Sequence, residues 1–231
     1  MESPVKIYLA SQRGLTETSI LRRYSTFNFE KYFDEQKQPF ESLFLCNDEL
    51  IANGKLTFFL CKENSTQIFI PIAGGIDIVA KTKEFSVDTG RVLILQLERG
   101  EVLEISNPYK DDTINYIQIG IKNDDYFFSK NTLIDFDFEK NPNQLIEIIN
   151  DGKLPFKLSV GIFAERNEAV YKMENSANSF YTFIIDGTFE IEGRLMHARD
   201  GLALLQTESV ELKALSNNAI VVALELLPPT P

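Results

Sequence analysis

Apolar and polar residues alternate along most of this chain in short runs, and turn residues close each run. In the first half the runs are LTFFL (56–60), QIFIPI (67–72), GIDIVA (75–80), RVLILQL (91–97), VLEIS (102–106) and INYIQIGI (114–121). In the second they are FKLSVGIFA (156–164), AVYKM (169–173), SFYTFII (179–185), TFEIE (188–192), LALLQ (202–206), VELKAL (210–215) and AIVVALELL (219–227). β-Branched and aromatic residues fill them, and Gly, Asn, Asp and Lys separate them. Many short strands at roughly ten-residue spacing predict sandwiches or barrels rather than βαβ units. Helical signal is thin. FEKYFDE (29–35) has the length of one or two turns, and NQLIEII (143–149) reads as either a strand or a turn of helix.

The two sets of runs resemble each other. TGRVLILQLERGEVLEISN in the first half parallels RDGLALLQTESVELKALSN in the second. Gly90 and Asn107 lie 17 positions apart, and Gly201 and Asn217 lie 16 apart. This is the pattern of a duplicated β domain. The glycine in each copy fits a turn that needs positive φ. The boundary is expected in NPNQLIEIINDGKLP (141–155), where Asn, Pro and Gly cluster. That gives one barrel over 1–140 and a second over 141–231, each with a mouth able to hold one small ligand or a metal.

Residue counts narrow the chemistry. The 231 residues carry 23 Lys+Arg against 34 Asp+Glu, a net charge of −11. Such a chain repels nucleic-acid phosphates, and no basic patch offsets this. With one histidine, His197, two- and three-histidine metal sites cannot form within one chain. Two cysteines, Cys46 and Cys61, make neither a Cys₄ site nor a disulfide scaffold. No apolar run approaches the ~18 residues of a membrane helix, and MESPVKIYLASQRG does not read as a signal peptide. The expectation is a cytoplasmic, thiol-reduced protein, a monomer or weak dimer.

Three segments carry a family resemblance. YSTFNFEKYFD (24–34) resembles the "Y-x-T-F-S-F-x-x-Y-Y-D" block of pirin-like bicupins. ESLFLCNDELIANGKL (41–56) is similar to the segment that follows it in that family. GTFEIEGRLMHARDGLALLQTESVELKAL (187–215) resembles the family's C-terminal cupin. The resemblance covers nearly the whole chain and implies an all-β fold of two tandem cupin-type barrels. It also implies a metal, usually iron, in the N-terminal barrel. Some members resemble quercetin 2,3-dioxygenases, and others act as transcriptional cofactors. The family's ligands are a His-x-His pair, then a later His and Glu. Anchored on Gly74 and Gly90, these positions fall on Leu60 and Lys62, and on Leu103 and Ile105. No side chain of that set suits a ferrous centre. The resemblance thus implies a divergent, non-enzymatic member with no cofactor and no metal, binding an unknown small ligand or protein partner, with no direct nucleic-acid or membrane role. The alternatives are an enzyme of another class that uses a remodelled pocket around Lys62 and Glu101, and the family's metal-dependent dioxygenase activity.

Two-residue alternation groups 60 with 62 and 101 with 103 and 105. If these faces line the old metal cavity, Lys62 and Glu101 meet there, either as a polar-ligand or acid–base pair or as an ion pair at the rim. On the same phase Cys61 faces away from that cavity as a buried structural thiol. Cys46, before Asn47-Asp48, is expected at a strand end, also buried. His197 in RLMHARDG reads as exposed, with a lone ligand role as the alternative. DFDFEKNPN (135–143) lacks the glycine of a calcium loop. Asp111-Asp112 and Asp124-Asp125 read as solvated. Tyr24, Phe27, Phe29, Tyr32 and Phe33 are either core packing over the barrel or the aromatic wall of a ligand pocket.

Overall fold

The computed structural model describes residues 5–123, 130–150, 152 and 154–228. The acidic pair Asp124-Asp125 lies outside them. Among the described residues there are β-strands and one short 3₁₀ turn, Ala10–Gln12, but no α-helix. The all-β expectation holds. FEKYFDE forms a tight turn with a bridge between Phe29 and Tyr32, and the ambiguous NQLIEII is the strand Gln144–Ile149.

The chain divides into two compact units. One is Arg13–Phe136; the other joins Met1–Gln12 to Asp137–Pro231. Each is a pair of antiparallel sheets around its own core. In the first unit the larger sheet runs, in spatial order, Thr132–Asp135, Arg91–Leu97, Ser65–Ala73, Ile114–Lys122, Leu43–Ile51, Leu21–Ser25 and Gly14–Glu17. Its smaller sheet runs Leu56–Leu60, Val102–Ser106, Ile76–Ala80 and Lys83–Val87. In the second unit the larger sheet runs Val5–Tyr8, Gly201–Leu204, Ser179–Asp186, Ala219–Leu226, Phe156–Phe163 and Gln144–Ile149. Its smaller sheet runs Glu168–Lys172, Ser209–Ala214, Thr188–Ile191 and Arg194–His197. The eight central strands follow the same order in both units, so the repeat seen in the sequence is a repeat of topology. Period-two alternation drives each sandwich: Ile76, Ile78 and Ala80 point inward while Asp77 and Val79 stay part-exposed.

Two details differ from the reading of the sequence. The first concerns the turn glycines. The turn Asp88–Arg91 closes with Arg91 N–H donating to Asp88 C=O, and Gly90 supplies φ 83°. The matching turn His197–Asp200 closes the same way, but Arg199 takes the left-handed place at φ 72°. Gly201 serves close approach instead: a Cβ there would stand 2.5 Å from the Tyr181 hydroxyl.

The second is the boundary. It was expected after residue 140 with the N-terminus in the first barrel. It falls between Phe136 and Asp137, and the N-terminal strand Val5–Tyr8 pairs with Gly201–Leu204 of the second unit. Asp200, buried, fixes this arrangement by accepting hydrogen bonds from the Ala10 N–H at 2.7 Å and the His197 N–H at 2.9 Å. Tyr8 packs edge-on to Tyr181. Burial raises the Tyr8 phenol to about 12. A folded-state pKa above its unfolded value stabilises below the unfolded value and ceases to do so as pH climbs through the folded one. Stability therefore falls between about pH 10 and pH 12, and Tyr8→Phe removes part of that fall in urea titrations taken across this range.

Candidate functional site

The interior of the first barrel is where the resemblance implies a metal, and the structure splits the four carried-over positions. Leu60 and Lys62 point outward to solvent. Leu103 and Ile105 point inward and are fully buried in the core. The strand phase explains the split. Leu60 pairs with Val102, both exposed, whereas Leu103 pairs with Phe59, both buried. The inward residues beside them are Phe59 and Cys61. Cys61 therefore faces the interior, not away from it, although it is buried as expected. Its thiol donates to the Glu63 C=O at 2.8 Å and sits 3.3 Å from Ser65 Oγ. Burial pushes the thiol pKa up, which these contacts only partly oppose. Cys46 is buried in the middle of Leu43–Ile51 rather than at its end.

Lys62 and Glu101 do not meet. Glu101 pairs with Lys81, whose pKa rises through that hydrogen bond and charge. The two line a polar hollow of about 410 Å³ floored by Ser65, Gln96 and Asn123. Lys62 lies on a different hollow. His197 is exposed, and Asp111-Asp112 is solvated, as expected. Asp137 of the DFDFEKNPN segment caps its own turn, accepting from the Glu139 and Lys140 N–H groups, and pairs with Lys140.

Sequence reasoning missed a buried ionic cluster. Arg23 lies between Leu21 and Ser25 on the inward phase of its strand and is 3% exposed. Its guanidinium grips Glu49, itself 0% exposed, at 2.7 and 3.2 Å. Tyr116 donates its hydroxyl to Glu49 at 3.0 Å, Asn47 adds a bond at 3.3 Å, and Glu30 meets Arg23 at 3.1 Å. Burial alone lowers the Arg23 pKa, but Glu49 and Glu30 more than offset it, so the net shift is upward. Burial and the Glu49 charge raise that of Tyr116. Polar positions in phase with Leu21 and Leu45 are the signal that would have found this cluster.

Arg23 also packs over the Phe29 ring at 4.7 Å, and Phe29 opens the hollow that carries Lys62. This hollow encloses about 300 Å³ between the 28–44 segment and the end of the strand Leu56–Leu60. Phe29 and Phe59 stack almost parallel, 4° between planes, with centroids 6.4 Å apart. Phe44 and Phe33 complete the walls, and Phe33 is 70% exposed. Lys62, Glu63 and Lys122 form the rim, the last two paired at 2.8 Å. Of the five aromatics singled out in the sequence, Phe27 is core, while Phe29 and Phe33 are wall.

Residues 155–226 match the family described as quercetinase C-terminal cupin domain. YhhW from Escherichia coli superposes with a TM-score of 0.85 at 17% identity, over 99% of this chain and 100% of its own. The same bacterial pirin in complex with nickel(II) gives 0.84 at 18% identity, over 97% and 100%. This is the pirin-like bicupin fold. A quercetin 2,3-dioxygenase from Acinetobacter baumannii gives 0.69 at 9% identity, over 99% and 88% of the two chains. No curated protein matches the sequence.

The metal that a pirin-like fold implies does not fit the residues present. Hydrocarbon from Phe59, Leu103 and Ile105 fills the interior at the positions concerned, and Cys61 is the only soft donor among them. Among the described residues no group of three or more His, Cys, Asp and Glu gathers to hold an ion. What the first barrel of this pirin-like chain presents at its surface instead includes an aromatic hollow with a lysine-bearing rim.

Proposed function

We propose that this chain is a non-enzymatic, metal-independent binding protein that receives an aromatic or apolar group, from a small ligand or a protein partner, in the hollow walled by Phe29, Phe33, Phe44 and Phe59. One observation carries the reading: four phenylalanines converge on one open hollow, and the Phe33 ring is left 70% exposed there. Ligand sites combine such apolar walls with a few polar groups. Leaving a ring of this size in water costs about 1.5–3 kcal/mol relative to burying it. Lys62, which forms no ion pair among the described residues, favours an anionic substituent on the bound group. The donor set described above supports metal independence. A cytoplasmic location belongs to the same reading, since Cys46 and Cys61 are both free thiols.

Calorimetric titration with 2-naphthoate tests it. The expected result is one site per chain, unchanged by EDTA and weakened about tenfold by Phe33→Ala, or ~1.4 kcal/mol. No heat of binding, or binding seen only after loading with Fe²⁺ or Ni²⁺, overturns the reading.

A further inference from the structure

We infer that the free edge of the strand Leu56–Leu60 is a docking site for an extended segment of a partner protein, apolar at alternate positions and acidic at its ends, which adds to the four-stranded sheet as a further strand. The inference rests on the proposed reading of the aromatic hollow as a recognition site, and it names the occupant.

Among the described residues the strand lies at the edge of its sheet and pairs only with Val102–Ser106. Two bonds bracket the ladder and fix its phase. Cys61 N–H donates to Glu101 C=O at 2.8 Å, and Asn107 N–H donates to Lys55 C=O at 2.9 Å. Residues 55, 57, 59 and 61 therefore turn their peptide groups toward the neighbouring strand. Leu56, Phe58 and Leu60 turn theirs to the open side. The same three residues keep their side chains in water, at 40%, 58% and 53% exposure, and Val102, opposite Leu60, is 49% exposed.

A trough runs along this edge. A hollow of about 540 Å³, lined by Ile20, Arg23 and Glu30, covers residues 54–58. The aromatic hollow continues along Phe59, Leu60, Lys62 and Glu63, and Glu30 lines both. Five residues of strand span about 17 Å, so the trough suits about five residues of extended chain. Alternating peptide groups on one wall demand alternating peptide groups in return, which only an extended backbone supplies.

The duplicate barrel gives the contrast. Met173 N–H donates to Glu208 C=O as Cys61 does to Glu101, so Leu56, Phe58 and Leu60 correspond to Glu168, Val170 and Lys172. Charged residues blunt that edge in the way exposed edges are commonly protected. The first barrel leaves the corresponding edge apolar.

Charge selects among occupants. Lys55 and Lys62 flank the strand, are exposed and form no ion pair among the described residues. Antiparallel pairing of two copies about Phe58 would set Lys55 of each beside Cys61-Lys62 of the other and bring like charges together at both ends. A segment with acidic ends pairs with both lysines.

A random nonapeptide display library selected on the full chain provides the test. Selected peptides should alternate apolar residues between Asp or Glu ends. Their binding should fall at least tenfold on Phe58→Pro, and on N-methylation of alternate peptide amides but not of the intervening ones. The Phe58 N–H faces the open edge, so proline there removes no ladder bond. Intact far-UV circular dichroism and unchanged 2-naphthoate binding confirm that the variant is folded. Peptides that bind Phe58→Pro equally, peptides that tolerate N-methylation at every position, or a library without binders overturn the inference. So does a dimer in sedimentation equilibrium that Phe58→Pro dissociates. Peptide binding without 2-naphthoate binding overturns the reading of the hollow and leaves the edge standing. The converse overturns the edge alone.

Discussion

Glu49→Ala is expected to lower the unfolding free energy by about 3–5 kcal/mol, the usual cost of stripping one partner from a buried ion pair. The carboxylate satisfies Arg23 twice, the Tyr116 hydroxyl and the Asn47 amide. Its loss leaves a cation at 3% exposure with only the half-exposed Glu30 as counter-charge. The pair itself is a weaker source of stability than this figure suggests, because both ions were desolvated to form it. Replacing Arg23 by Met and Glu49 by Leu together should therefore cost far less than Glu49→Ala alone. Urea unfolding of the single and double variants measures this. A double variant as unstable as the single one would mean that steric fit, not uncompensated charge, sets the cost.

The second barrel holds its own buried carboxylate, and Glu225→Ala should cost a comparable ~3–5 kcal/mol. Glu225 is 0% exposed. It accepts from the Tyr171 hydroxyl at 3.0 Å, from the Glu174 N–H at 2.9 Å and from Asn178 Nδ2 at 2.5 Å. Each donor left without an acceptor costs about 1–3 kcal/mol. Burial first and Glu225 second raise the Tyr171 pKa. Glu225→Ala removes the second of these causes, so tyrosinate absorbance should appear at lower pH in the variant. Unfolding free energy within ~1 kcal/mol of the parent would show that water replaces the lost acceptor.

Much of the fold was legible because period-two alternation and turn residues are local signals. The runs LTFFL, VLEIS and RVLILQL coincide with strands residue for residue. The strands Leu21–Ser25 and Leu43–Ile51 were harder to see, because Arg23, Asn47 and Glu49 look like turn residues until their shared inward phase is noticed. The face of residues 60–62 was misread for a different reason. The family's ligand positions were carried there from Gly74 and Gly90 across the turn that precedes Ser65, and a turn does not preserve the register that sets which face is inward. Pairing Lys62 with Glu101 failed with it, since Lys81 arrives from the turn between Ile76–Ala80 and Lys83–Val87, a non-local neighbour. Of the site, Phe29, Phe33 and Lys62 were named from the sequence. That they share a hollow with Phe44 and Phe59 depends on the closure of the barrel.

The N-terminal strand carries a consequence for biosynthesis. Val5–Tyr8 leaves the ribosome long before Gly201–Leu204, the strand it pairs with. Ala10 and Asp200 are 190 residues apart. At 5–20 residues per second, the strand waits about 10–40 s for its partner. The first barrel can mature in that interval, whereas the second must capture an element already displayed, which raises its contact order and slows its closure. Deletion of Val5–Tyr8 thus acts on the distant second barrel and leaves the Gly201–Leu204 edge open to aggregation, while the barrel that follows directly in sequence is untouched.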